Sequence, residues 1–197
     1  MNPMSEPLAG KLGGVKRVAD VMIPLDQYPR VRIDDPLSRA VDTIENSDLE
    51  VRRRRSLPRV LLVLDKDDRL VGVVRRRDIM RGLEPKFLVS QPLEYRKKLF
   101  EVGIDPHLSE LSREFSLERV VKGLREQSVR PVADVLRPAP PALKPDDSIL
   151  KAIYEMVSLN ESLLPVVKDH EVLGVVRSVD LFHELARLLS DEGYPRS

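Results

Sequence analysis

GVVRRRDIM, residues Gly72 to Met80, and GVVRSVDLF, residues Gly174 to Phe182, are two versions of one phrase. Each runs from a glycine through two valines to an arginine, and an aspartate follows three residues after that arginine. Paired valines after a glycine read as the end of a buried strand. An aspartate just beyond suits the first turn of a helix, where free N–H groups and the helix dipole favour negative charge. The phrase therefore reads as a strand-to-helix junction used twice. Of the arginines Arg75, Arg76 and Arg77, only Arg75 recurs, as Arg177, and Asp78 recurs as Asp180.

The duplication extends outward from this phrase. Val18-Ala19-Asp20-Val21-Met22 returns as Val132-Ala133-Asp134-Val135-Leu136, and Asp34-Asp35-Pro36 returns as Asp146-Asp147-Ser148. Order is kept while the spacing shrinks from 114 to 102 residues, so one unit is duplicated with small length changes. Its copies span residues 16–84 and 130–190. The first carries ten extra residues around Ser47 to Arg55.

Both copies share a local grammar. Asp35 and Asp147 are placed to cap a helix, with Pro36 suited to its first position. Leu37, Ala40, Val41 and Ile44 then recur at the spacing of one helix face, as do Ile149, Ala152, Ile153 and Met156. Short apolar strands follow at Val60–Leu64 and Leu163–Val167, then polar turns at Asp65–Asp68 and Lys168–His170. Second strands, Leu70–Val74 and Val172–Val176, lead to closing helices that begin near Asp78 and Asp180. Residues 85–129 form an insert that is charged yet periodic, and it reads as ordered helices. One is expected at Leu93–Phe100, a short one from Asp105-Pro106, and one with Leu117, Val120, Val121 and Leu124 on a single face.

Composition narrows the function classes. Net charge is +1, from 33 basic and 32 acidic side chains, which gives no support to a nucleic-acid role. The arginine run Arg52–Arg55 lacks neighbouring aromatics for base stacking and reads as a solvated loop. With no cysteine, thiol catalysis, disulfides and zinc–thiolate sites are excluded. His107, His170 and His183 are not spaced as metal ligands, and no nucleophile elbow or P-loop occurs. No apolar run is long enough for a membrane span, and the polar, Gly-rich first 15 residues look mobile, with no signal core. A cytoplasmic protein that is not an enzyme is the resulting expectation.

The ordered recurrence of the Asp-Val-Met/Leu lead-in, the Asp-Asp-capped helix, the apolar strand and Gly-Val-Val-Arg-x-x-Asp resembles a tandem pair of CBS domains. These are named after the regulatory region of cystathionine beta-synthase. The resemblance implies an α+β fold of two pseudo-symmetric β-α-β-β-α repeats packed as one module, with the helical insert between them. It also implies a homodimer, no required cofactor, and regulation of a protein target not identifiable from the chain. Clefts between such repeats bind AMP, ADP, ATP or S-adenosylmethionine; a ligand-free dimerisation or protein-interaction module is the alternative.

Candidate site residues follow from this match. Gly72 and Gly174 would let backbone approach a flat ligand closely. Asp78 and Asp180 would hold ribose hydroxyls, or only cap their helices. Where the family usually places Thr or Ser after the glycine, this chain has Arg75 and Arg177, which would grip phosphate in a bidentate fork or block it. Ser178 is the nearest hydroxyl to that position in the second copy. Apolar walls would come from Met22, Ile23, Pro24 and Val31, with counterparts Leu136, Arg137, Pro138 and Leu143, although core packing explains these residues as well.

Overall fold

The computed structural model describes residues 16–47, 49–51, 54–89 and 117–191. Its strands are β1 (Ile23–Pro24), β2 (Arg30–Arg32), β3 (Leu49–Val51), β4 (Arg54–Ser56), β5 (Val60–Leu64), β6 (Leu70–Arg75), β7 (Arg137–Pro138), β8 (Leu163–Lys168) and β9 (Glu171–Arg177). The helices are α1 (Leu37–Glu45), α2 (Arg76–Leu83), α3 (Lys86–Val89), α4 (Leu117–Ser128), α5 (Ile149–Leu159) and α6 (Ser178–Asp191). Short 3-10 turns occupy Val18–Asp20, Leu25–Gln27 and Val132–Val135. Among the described residues, no helix is long and apolar enough to cross a membrane.

These elements divide into two units. One is Pro29–Pro138; the other combines the described residues up to Tyr28 with those from Ala139 onward. The first holds a four-stranded sheet in the order β2-β5-β6-β7. Strand β5 is apolar and buried at all its positions, as a central strand covered on both faces must be. It pairs in parallel with β2, Val31 opposite Val63, and antiparallel with β6. Helices α1 and α2 contribute Leu37, Ala40, Ile44 and Ile79 to the core over this sheet.

The second unit holds a three-stranded antiparallel sheet in the order β1-β9-β8. Leu143 bridges in parallel to Val166, donating its N–H to the Pro165 carbonyl at 2.9 Å. Ile149, Ala152, Met156 and Leu181 of α5 and α6 pack with Leu164, Val166 and Val176. Asp169 and His170, both at positive φ, close β8 to β9 as a two-residue hairpin turn.

The units do not follow the sequence copies. Val18 of the first lead-in lies in the core with Leu164 and Val176, and its N–H donates to the Asp147 carbonyl at 2.8 Å. Val132 of the second lead-in lies in the core with Leu61 and Val74, and its N–H donates to the Asp35 carbonyl at 2.8 Å. The two lead-ins are exchanged. Each repeat's core is completed by a valine from the other.

Several local expectations are corrected. Asp35 caps the turn before α1, accepting from Arg32 N–H at 2.8 Å, and Pro36 takes the N-cap position. Asp147 does the same with Lys144 N–H, while Ser148 caps α5 by accepting from Lys151 N–H at 3.2 Å. In both repeats the second aspartate sits one residue too early to cap the helix. Val41 is exposed, leaving Leu37, Ala40 and Ile44 as the inner face of α1. In α4, Leu117 and Leu124 face outward and Gln127 is buried, because Gly123 lets the helix approach Pro85 and Phe87. Arg54 and Arg55 are not in a loop: β3 and β4 form a hairpin, Glu50 opposite Arg55. Arg52, Arg53, the helices expected at 93–100 and from 105, and the first 15 residues lie outside the described residues.

Candidate functional site

Each repeat ends its last strand at an arginine and starts its closing helix at the next residue, so the aspartate becomes the third helical residue. In the first repeat, Asp78 reaches back. Its Oδ2 accepts from the backbone N–H of Arg75 at 3.3 Å and from Nε of the same arginine at 3.1 Å. Asp78 is buried, at 6% exposure, and the Arg75 side chain is partly exposed. Neither terminal guanidinium nitrogen of Arg75 nor Oδ1 of Asp78 has a partner among the described residues.

The second repeat makes a different pair from the same residues. Arg177 donates from Nε to Asp180 Oδ2 at 2.7 Å and from Nη2 to Oδ1 at 2.9 Å, a parallel fork that engages both carboxylate oxygens. Both residues are buried, at 8% and 6% exposure. Tyr28 lies beside them, carried in by the Leu25–Gln27 turn, which packs on β9. Burial pushes its phenol far above the usual tyrosine range; the Arg177 charge opposes that shift and the Asp180 charge reinforces it.

The glycines serve backbone approach, and what approaches is a strand. A Cβ on Gly72 would overlap the Arg137 carbonyl oxygen, and one on Gly174 would overlap that of Ile23. Both oxygens belong to the exchanged lead-ins, which add to the sheets as β7 on β6 and β1 on β9.

The sequence-derived residues fall into two groups. Ile23, Leu143, Gly174, Arg177, Ser178 and Asp180 belong to one unit; Val31, Gly72, Arg75, Asp78 and Arg137 belong to the other. Within a group they do not all meet. Val31 and Leu143 are core residues, while Arg137 is exposed on β7, with β5 and β6 separating it from β2. Ile23 is buried opposite Val175, Pro24 stands opposite Gly174, and Pro138 stands opposite Gly72. Ser178 is exposed, and its N–H donates to the Ser162 carbonyl at 2.9 Å.

Two polar residues escape a reading by repeats. Tyr28 shares a unit with Arg177 because the lead-ins exchange, so nothing in its own repeat announces it. Glu184, at 2% exposure, is held by Lys16 at 2.9 Å and Arg187 at 3.2 Å. Its signal was present: Leu181, Glu184, Leu185 and Leu188 share one helix face, and a lone buried carboxylate there needs a cationic partner.

The CBS domain family model matches residues 18–85 and 132–187. A sequence comparison with curated proteins yields no match. Similar solved structures include the CBS domain of a membrane protein from Sphaerobacter thermophilus. It is 22% identical with a TM-score of 0.55, over 85% of this chain and 86% of that one. Arabidopsis thaliana CBSX2 in complex with AMP is 17% identical with a TM-score of 0.55, over 87% and 97% of the two chains. A CBS-domain protein of unknown function from Kribbella flavida is 21% identical with a TM-score of 0.56, over 86% and 99%.

Proposed function

Because the chain belongs to the CBS-domain family, we propose that it is a regulatory CBS-pair module that binds an adenine nucleotide and relays occupancy to a protein partner. The ligand class is AMP, ADP, ATP or S-adenosylmethionine. The observation that carries this reading is the unspent valence at the end of the first repeat. Asp78 Oδ1 is an acceptor suited to a ribose hydroxyl, and the Arg75 terminal nitrogens are donors suited to phosphate. An acceptor in a buried carboxylate is costly to leave unmet, so a ligand hydroxyl there gains more than it would at the surface. That a structural neighbour, CBSX2, is known with AMP supports the ligand class. The role assigned is regulation through binding, with no catalytic step: a ligand that favours one arrangement of the module shifts its population by the difference in affinity.

The partner expected first is a second copy. On α5, Leu150, Tyr154 and Val157 form an exposed apolar stripe, although the corresponding residues of α1 are Ser38, Asp42 and Glu45. The fold therefore does not require that stripe. An uncharged apolar face is self-complementary across a two-fold axis, whereas an acidic one repels its copy.

Thermal melts with AMP, ADP, ATP and S-adenosylmethionine test the nucleotide reading. A ligand at a hundred times its dissociation constant raises Tm by about 5–10 °C. No shift with any of the four refutes it, and an undiminished shift in Asp78→Asn refutes the placement of the ligand at Asp78.

A further inference from the structure

We infer that the second repeat's strand-to-helix junction is closed from within by Tyr28, Arg177 and Asp180, so that each chain takes one nucleotide, at the Arg75–Asp78 end. This rests on the nucleotide reading above and adds its stoichiometry.

The two junctions share a sequence pattern and differ in three physical respects. Arg177 meets Asp180 with two short bonds to two oxygens, where Arg75 meets Asp78 through one oxygen at 3.1 Å. The Arg177 side chain is 10% exposed against 26% for Arg75, so the second guanidinium is withdrawn from solvent. The buried phenol of Tyr28, itself 2% exposed, stands within the field of both charges in the second pair. Its counterpart in the other lead-in, aligned on Val31 and Leu143, is Pro140, which offers neither a ring with a hydroxyl nor comparable bulk. A nucleotide entering the second junction would have to break a desolvated fork beside a buried tyrosine. At the first it meets groups already waiting.

Arg177 and Asp180 consequently act on stability, not on ligand. Removing one member of a buried pair strands the other charge in the interior. Asp180→Asn is expected to lower Tm by roughly 10 °C. The double change Arg177→Met with Asp180→Leu removes both charges, keeps the volume, and is expected to restore most of that loss.

Calorimetric titration of the full chain with AMP and with ATP decides the matter. One site per chain is expected, abolished by Asp78→Asn and unchanged in affinity in the Arg177→Met, Asp180→Leu double variant. Two sites per chain, or binding lost in that double variant while Asp78→Asn still binds, overturns the inference and leaves the nucleotide reading standing. Absence of binding to any adenine nucleotide overturns both. An Asp180→Asn chain with unaltered Tm overturns the structural role of the pair by itself.

Discussion

The carbonyl oxygen of Ile23 occupies the space that a Cβ at residue 174 would need. The contact is to backbone held in a ladder, Ile23 opposite Val175 and Pro24 opposite Gly174, so no side chain can rotate away to make room. Gly174→Ala must push β1 off the sheet edge. A loss of about 1–3 kcal/mol is expected, the usual cost of overpacking. Gly72→Ala should cost the same through the Arg137 carbonyl. Chemical denaturation of the two variants measures both, and a loss below about 0.5 kcal/mol would show that the lead-in strands are loosely held.

Exchange of the lead-ins gives a prediction with a direction. Val132 follows the insert in sequence but lies in the core with Leu61, Val63 and Val74. Val132→Ala should destabilise by about 1–3 kcal/mol. Hydrogen exchange should quicken first at the amides of Val60–Leu64 and Leu70–Arg75, and not in Leu163–Lys168. Val18→Ala should do the reverse. Faster exchange in each lead-in's own repeat would refute the exchange.

What the sequence made legible was whatever obeys a local period. The strands at Val60 and Leu163, the helix faces of Leu37 and Ile149, and the junctions at Arg75 and Arg177 depend on neighbours a few residues away, and duplication marks each twice. The Asp-Asp motif misled by a single residue because aspartate caps a turn as readily as a helix. Fork geometry was beyond reach. Arg-x-x-Asp is identical at 75 and 177, yet only the second pair is buried beside a tyrosine, Tyr28, that a long-range exchange brings into its unit and no periodicity encodes.

Tyr28 also sets an alkaline limit. Burial raises its folded pKa above the ordinary 10.0. In the unfolded chain the phenol ionises near 10.0, so the unfolded state releases its proton first. Stability linked to this group is fully present below that pH and is lost as pH rises beyond it. Denaturation midpoints measured from pH 8 to 11 should fall steeply above 10 in the wild type and less steeply in Tyr28→Phe. Parallel curves would mean that the phenol is not sequestered.

The α5 stripe predicts where self-association fails. Tyr154 is 70% exposed in the single chain, so Tyr154→Asp should leave Tm within about 1 °C of wild type. A charge placed in a self-complementary apolar face should weaken dimerisation by about two orders of magnitude. Sedimentation velocity across a concentration series distinguishes the states. Dimers that persist in Tyr154→Asp but dissociate in an Asp42→Lys, Glu45→Lys variant would assign the interface to the first repeat.

Arg75 separates gripping phosphate from obstructing it. Its Nε is committed to Asp78, which orients the guanidinium and leaves the terminal nitrogens for an anion. Arg75→Met removes those donors and the local countercharge of a buried carboxylate. Hydrogen bonds to charged groups contribute about 1.5–3 kcal/mol, so affinity for AMP should fall by about 10- to 150-fold. Adenosine lacks the phosphate, and its weaker binding should change far less. Arg75→Lys keeps the charge without the fork and should recover only part of the AMP affinity. If Arg75 obstructs the site, the order reverses: Arg75→Met would bind AMP more tightly than wild type, and adenosine would gain equally.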